Sequence, residues 1–367
     1  MSTARSPSLG PARQVPLAPY TTLGLGGPAA AFIEPGTEAE LAEAVRAADE
    51  HGEPLLVLGG GSNVVVADEG FPGLVVRVAT RGVTGGPDPG GPDGAVRLTV
   101  AAGESWDDVV AHCVAENLAG LECLSGIPGL SGATPIQNVG AYGQEVAGTI
   151  VSVRAWDRDR AAIAEIPAAD CGFGYRTSRF KHHGRHVVLA VTFRLAPGPL
   201  SAPVRYPDLA TELGVTPGDR VPLQEARSAV LKVRARKGMV LDAGDPDTRS
   251  AGSFFTNPIL SEAAFQRLDR GHDGPVPHYP AGPGQVKVPA AWLIEQAGFG
   301  KGHAGPGPAP ARISSKHTLA LVNPGHASTA GLLALAHQIQ DGVRAAFGVS
   351  LDIEPVLVGA FTSRRRS

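Results

Sequence analysis

Residues Ala251 to Pro258 read Ala-Gly-Ser-Phe-Phe-Thr-Asn-Pro. A hydroxyl, Ser253, stands behind a glycine and ahead of two aromatic rings, and Asn257-Pro258 stops whatever element comes before it. Two readings fit this octapeptide. One is a serine held in a dry, shaped pocket, where it could deliver a proton; the other is a strand end whose phenylalanines fill a core.

Two glycine-dense stretches look built to lay backbone against a ligand. Gly59, Gly60, Gly61, Ser62 and Asn63 follow an apolar strand pattern. Glycines admit positive φ and let successive N–H groups point at one anion, as a phosphate turn requires. No Gly-Lys-Ser/Thr follows, so this is not a P-loop, and the valine strand that comes next excludes a Rossmann fingerprint, which needs a helix there. An anion nest and a plain tight hairpin both remain. The second stretch runs from Ser125 to Gly143 and includes Gly126, Ile127, Pro128, Gly129, Gly132, Ala133, Gly140, Ala141 and Tyr142. Such glycine density is costly in ordered chain unless close approach is needed. Two such segments suit a long cofactor with a diphosphate middle, and Thr134, Gln137 and Asn138 offer the neutral hydrogen bonds a flavin ring accepts.

Elements must position these residues. Glu38 to His51 has apolar residues at helical spacing (Leu41, Ala44, Val45, Ala48) with Thr37 as N-cap. Strand patterns follow at 54–58, 64–66 and 74–78, so the opening module is strand, helix, strand, glycine turn, strand. Beyond a Gly/Pro/Asp loop at 84–94 come a strand at 96–101 and a helix at 106–117. Leu121 to Gly143 is a long glycine-dense stretch without clear period. Strands are read at 150–156 and 187–195, a joint at 197–203, helices at 224–237, 290–297 and 329–347, and a strand at 351–353. No internal repeat occurs. The layout is α+β in several pieces.

At 367 residues, two or three domains are the natural expectation, and 43% hydrophobic content supports a globular chain. A net charge of -3 gives no global reason to expect nucleic acid. Three cysteines (Cys113, Cys123, Cys171) without CxxC spacing argue against a disulfide framework or structural zinc and fit a reducing compartment. His182, His183 and His186 admit a metal, but a polar turn beside Gly184 explains them, and no metal is expected. No apolar run is long enough to span a bilayer, so the expectation is a cytoplasmic protein, with residues 1–18 and the Ser-Arg-Arg-Arg-Ser end loose.

Gly59 to Asn63, the 125–143 stretch, Phe173-Gly-Tyr-Arg-Thr-Ser178, Ala251 to Pro258 and Leu351 to Pro355 occur in the order seen in the MurB family, the UDP-N-acetylenolpyruvoylglucosamine reductases of bacterial peptidoglycan synthesis. The chain resembles that family from about Thr21 to Gly359. The resemblance implies non-covalent FAD held by two small α+β domains of the vanillyl-alcohol-oxidase (PCMH) type, with a C-terminal α+β domain for substrate. It implies a flavin subdomain at 19–78, completed by 355–367, a second at 79–230, and a substrate domain at 238–350. Thr21-Thr22 and Gly26-Gly27 resemble the family's amino-terminal flavin motif. No histidine stands in either glycine stretch, so covalent flavin attachment is not expected.

The resemblance further implies reduction of an enol ether carrying a carboxylate, with NADPH as reductant and FAD between the two. Negative charge then grows beside the carboxylate, which calls for a cation and a positioned acid. By resemblance Arg176 fills the first role, since a guanidinium engages a carboxylate bidentately. Ser253 fills the second, and Glu354 is the third catalytic position. A salt bridge for Arg176 and a solvated strand end for Glu354 are the plain structural alternatives. The resemblance also points to Tyr175, Tyr206, Lys237, Asn257, Tyr279 and Lys287 for the nucleotide-sugar. Tyr206 sits in Val204-Arg-Tyr-Pro-Asp-Leu209, similar to the diphosphate-covering loop of the type I branch. Arg249-Ser250 and Thr256 depart from the family's usual residues. A monomer is expected. Competing expectations are an oxidase of the same fold, which would reduce its flavin with substrate alone, and a silent nucleotide-sugar binder, which would be colourless.

Overall fold

The computed structural model describes residues 11–92, 94–181 and 184–359. His182, His183 and the basic carboxyl end lie outside the described residues, as does the first part of the 1–18 segment. The rest of that segment corrects the expectation of a loose start, because Ala12–Pro16 is a strand, β1. Next come β2 (Pro28–Ile33) and α1 (Glu38–Glu50), which opens on a reciprocal cap. The Thr37 hydroxyl accepts the Glu40 N–H at 3.2 Å, and the Glu40 carboxylate accepts the Thr37 N–H at 3.1 Å. Then follow β3 (Leu55–Leu58), β4 (Val64–Val66), β5 (Phe71–Arg77), β6 (Val83–Pro87), β7 (Val96–Ala101), α2 (Trp106–Ala115) and β8 (Leu118–Ala119). Past the glycine-dense stretch, whose end forms the small hairpin β9 (Gly140–Ala141) and β10 (Gln144–Glu145), the chain enters β11 (Ile150–Asp157), β12 (Ala162–Pro167) and β13 (His186–Pro197). Two helices, α3 (Pro207–Leu213) and α4 (Leu223–Arg236), close this part. The remainder is β14 (Ser250–Ser253), β15 (Ile259–Ser261), α5 (Glu262–Arg270), β16 (Tyr279–Pro280), β17 (Gln285–Lys287), α6 (Ala290–Gln296), β18 (Arg312–Ile313), β19 (Ala320–Val322), α7 (Thr329–Phe347) and β20 (Val356–Val358).

The chain forms two compact units. The first comprises 11–15, Ala29–Gly60 and Phe71–Ala235. It holds a four-stranded sheet in the order β1-β2-β5-β3 and an antiparallel sheet in the order β12-β11-β13-β7-β6. In the former, β2 and β3 both run parallel to β5, with α1 as the crossover that parallel strands require. The two sheets share one core: Leu41 and Val45 of α1, Val76 of β5, Val100 of β7 and Val191 of β13 belong to one buried cluster. The 19–78 and 79–230 segments therefore do not separate into cores of their own. Trp106 anchors α2 in that cluster, its ring 5.7 Å from Phe193.

The second unit comprises Pro16–Pro28, Gly61–Gly70 and 236–359. Its sheets are β14-β19-β18, β15-β17-β16 and the parallel pair β4-β20. Its core is built on α6, α7 and the fully buried Phe254 and Phe255. The start of α7 is fixed by charge as well as by its cap: Asp68 accepts the N–H groups of Thr329 and Ala330 at 2.8 and 2.9 Å, a carboxylate on a helix N-terminus.

Candidate active site

The glycine turn after β3 is dictated by crowding. A Cβ on Gly60 would sit 2.7 Å from the Gly129 Cα; one on Gly61, at φ +62°, would sit 1.9 Å from the Tyr20 carbonyl oxygen. Only glycine lets the backbones approach this closely. The N–H groups of Gly59, Gly60, Gly61 and Ser62 donate no hydrogen bond to any of the described residues. Successive unspent N–H donors on a glycine turn fit a diphosphate.

The 125–143 strap is braced from within. Gly126 N–H donates to Asp107 at 2.6 Å, Ser131 N–H to the Glu104 carbonyl at 2.8 Å, and Gly132 N–H to the Ala102 carbonyl at 2.9 Å. Ser125 and Thr134 spend their hydroxyls on the carbonyls of Glu122 and Ser131. Asn138, 1% exposed, accepts the Ala147 N–H and donates to Glu145 and to the Gly174 carbonyl. The side chains of Thr134 and Asn138 thus hold the strap in shape. Ser131 was not singled out by sequence; its Oγ is buried without a hydrogen-bond partner among the described residues, an exception that calls for a reason. The unspent turn donors, the glycines that no Cβ could replace and this orphaned hydroxyl fit FAD.

Backbone strain gathers here. Among the described non-glycine residues with positive φ are Asn138 (48°), Tyr142 (50°) and Arg176 (51°); such conformations persist only where the surroundings enforce them. Arg176 is held by its own contacts. Its guanidinium donates to the Gly140 and Asn138 carbonyls at 2.8 and 3.3 Å and lies 5.4 Å from the centre of the Tyr175 ring. Lys181 Nζ donates to the Arg176 carbonyl at 2.9 Å. Arg176 and Tyr175 thereby lie along the strap. Tyr206 begins α3 and sets its ring edge-on to Tyr142, 5.5 Å between centres. Behind the strap, α4 aims two arginines at its ends. Arg227 forks onto Asp107 at 2.6 and 2.8 Å. Burial raises the Asp107 carboxyl, but this fork and the Gly126 N–H outweigh it and hold the group below its usual range. Burial lowers Arg234, which Tyr142 partly offsets.

In the second unit, Ser253 ends β14 and pairs with Ala320 of β19. Its hydroxyl is half-buried and makes no hydrogen bond to the described residues. Phe254 and Phe255 fill the core behind it, so both readings of the octapeptide hold at once: a strand end with core rings, and a serine left to project. The chain end returns alongside. Glu354 N–H donates to the Phe254 carbonyl at 3.0 Å, Phe255 bridges Ile353, and Thr256 N–H donates to the Asp352 carbonyl. Ser253 and Glu354 thus stand on adjacent segments.

Tyr279 and Lys287 are cross-strand partners on β16 and β17, with Ile259 of β15 opposite Lys287 on the other side. Asn257 Oδ1 accepts the Ala290 N–H at 2.9 Å and so caps α6. Lys237 lies just past α4, half-buried. Cys113 and Cys123 are pushed up to about 12 and Cys171 to about 11, chiefly by burial, so none supplies a thiolate nucleophile near neutral pH. Among the described residues no group of His, Cys, Asp and Glu could hold a metal ion, and no helix is long and apolar enough to cross a membrane.

Residues 29–160 match the model of an FAD binding domain, so this chain is a flavoenzyme of the oxidoreductase class. Residues 245–358 match the C-terminal domain of UDP-N-acetylenolpyruvoylglucosamine reductase. The reductase of that name from Thermobifida fusca is 55% identical over 354 residues, covering 95% of this chain and 98% of that one. That from Saccharopolyspora erythraea is 58% identical over 348 residues, covering 93% and 94%. The crystal structure of the Thermus caldophilus enzyme superposes with a TM-score of 0.63 at 27% identity, covering 95% of this chain and 98% of the other. The chain belongs to the UDP-N-acetylenolpyruvoylglucosamine reductase family. The α+β class and the flavin domain expected from sequence are thereby established.

Proposed function

We propose that this chain reduces UDP-N-acetylglucosamine enolpyruvate to UDP-N-acetylmuramate with NADPH, in peptidoglycan precursor synthesis, with Ser253, Glu354 and Arg176 as its catalytic residues. FAD, when bound, would supply the hydride relay between NADPH and the alkene; the chain's own side chains bind, orient and protonate. The glycine turn at Gly59–Asn63 offers N–H donors to the diphosphate, and the strap offers backbone along the rest of the cofactor. Arg176, its plane fixed by the strap carbonyls, takes the substrate carboxylate and the charge that grows beside it. The Ser253 hydroxyl delivers the proton, with Glu354 beside it. Tyr279 and Lys287 receive the nucleotide-sugar, with Tyr206, Tyr175, Lys237 and Asn257. The observation that carries this reading is the hydrogen bond from Glu354 N–H to the Phe254 carbonyl, which sets a carboxylate-bearing segment next to an uncommitted serine. The reading makes the protein a monomer in the cytoplasm, and three free, buried cysteines support the reducing compartment.

Anaerobic titration tests it. NADPH should bleach the visible flavin absorbance, and the enolpyruvyl nucleotide-sugar should restore it with one product formed per flavin reoxidised. A colourless protein that stays so after incubation with FAD, or bleached flavin that the nucleotide-sugar leaves bleached, would overturn the proposal.

A further inference from the structure

We infer that Glu122 is a positioning residue for the substrate side of the reaction, its buried carboxylate fixing the segment that presents Tyr206; this rests on the reductase reading above. Glu122 stands in the apolar run Leu121-Glu-Cys-Leu124 and is 1% exposed. A carboxylate removed from water must be met by donors, and three chain segments supply them. Gly120 N–H donates to Oε2 at 2.7 Å. The Gln144 side-chain amide and the Ala202 N–H both donate to Oε1, at 2.9 and 2.6 Å. Gln144 Oε1 in turn accepts the Cys123 N–H at 2.8 Å, closing a ring around the carboxylate.

The two donors to Oε1 come from segments the proposed reaction uses. Gln144 opens β10, directly after the strained Tyr142 and the positive-φ Gly143 at the end of the strap. Ala202 leads into Val204-Arg-Tyr206, the start of a small lobe made by α3 and α4. That lobe has its own core, in which Val204, Leu209, Ala210, Val221 and Val230 gather around Cys123, with Tyr142 packed against them. Within the lobe the chain is tied by Val204 N–H to Asp219 and Gly218 N–H to Val204. Glu122 ties the lobe to the strap. The Tyr206 ring, 44% exposed, therefore stands edge-on to Tyr142 at a distance set by this carboxylate. Burial, and after it the Glu122 charge, pushes the Cys123 thiol up to about 12, so the neighbouring sulfur stays protonated and the donors converge on one charge.

Replacing Glu122 by glutamine keeps the shape and reverses one side of the chemistry. Whichever way the new amide turns, its NH₂ faces either the Gly120 N–H or the Gln144 and Ala202 donors. The lobe is then held less firmly and Tyr206 loses its fixed place. Glu122→Gln should raise KM for UDP-N-acetylglucosamine enolpyruvate by roughly five- to tenfold, while flavin reduction by NADPH and FAD content stay as in the parent. The deciding measurement is a double-mutant cycle with Tyr206→Ala. That variant should raise KM by itself, and adding Glu122→Gln should change KM no further, because the glutamate acts through the tyrosine. Should Glu122→Gln not fold, Gln144→Leu, which leaves the carboxylate its backbone donors, is read in the same cycle. An unchanged KM, or KM effects that multiply across the cycle, overturns the inference. Parent protein that is bleached by NADPH but never turns over the nucleotide-sugar overturns the reductase reading instead.

Discussion

A serine hydroxyl is a poor acid in water and transfers its proton usefully only when held against the atom that takes it. Ser253 meets the structural half of that condition: its hydroxyl is half-buried, unspent on the described residues, and backed by two fully buried rings. On the proposed assignment, Ser253→Ala should be reduced by NADPH at the parent rate and reoxidised by the nucleotide-sugar roughly 10²–10⁴ times more slowly. Anaerobic stopped-flow absorbance separates the two half-reactions, and normal reoxidation would remove the serine from the chemistry. The sequence made residue types legible, but not how each side chain is spent. Thr134 and Asn138 both carry groups a flavin could accept, yet Thr134 turns to Ser131 and Asn138 to Ala147, Glu145 and Gly174. An amide bonds a ligand or a neighbouring peptide equally well, so only the path of the chain decides. Glu122 did leave a trace, as a charge inside an apolar run, which is a mark of a paired buried carboxylate.

Elements with strong local signals were the legible ones. The Thr37 cap and the apolar spacing that follows it locate α1, and the expected 329–347 helix coincides with α7. Elements whose stability comes from distant partners were not. β6 falls in the stretch expected to be a Gly/Pro/Asp loop and is a strand because β7 pairs with it; α5 buries only Phe265 and Leu268. The strand expected at 351–353 forms only the bridge from Ile353 to Phe255, and regular pairing begins after Pro355, at β20. The glycine turn after β3 was found by density, but the reason for its second glycine is a contact that sequence order hides, the approach to Gly129. Two substitutions separate packing from ligand contact. Gly60→Ala should destabilise the apoprotein by about 1–3 kcal/mol, the usual cost of overpacking against backbone, and lower its melting temperature. Gly59→Ala, whose Cβ would find nothing nearer than 3.9 Å, should leave apoprotein stability unchanged while weakening FAD retention, because its added methyl stands on the turn proposed above for the diphosphate. Equal loss of melting temperature in both variants would refute this division.

For the whole molecule, the chain path matters more than the count of elements. The first unit takes 29–60 and 71–235 into one core, while 16–28 and 61–70 join the carboxyl-terminal part, where β4 pairs with β20. No periodicity within a window reports a pairing between Val64 and Val356; only the folded topology supplies it. A different strand pairing, β11 with β13, sets the acid sensitivity of the first unit. At the end of β11, Asp157 is held by Arg185 at 2.7 and 2.9 Å and lies opposite His186 at the start of β13. Arg185 brings the Asp157 carboxyl down to about 2, from about 3.9 in an unfolded chain. A carboxylate whose folded value is depressed stabilises the fold above its unfolded value, and that contribution is lost as pH falls toward 2. His186 acts at a higher pH. Burial lowers its value despite the Asp157 charge, so the unfolded chain takes up the proton first, and stability declines as pH drops below the ordinary imidazole range. Acid unfolding should therefore begin with a shallow loss through the histidine range and steepen below the carboxylate range. Denaturant midpoints measured across pH should lose the upper slope in His186→Gln and flatten at the acid end in Asp157→Asn. Parallel pH profiles for the parent and both variants would show that this corner of the sheet does not govern the acid limit.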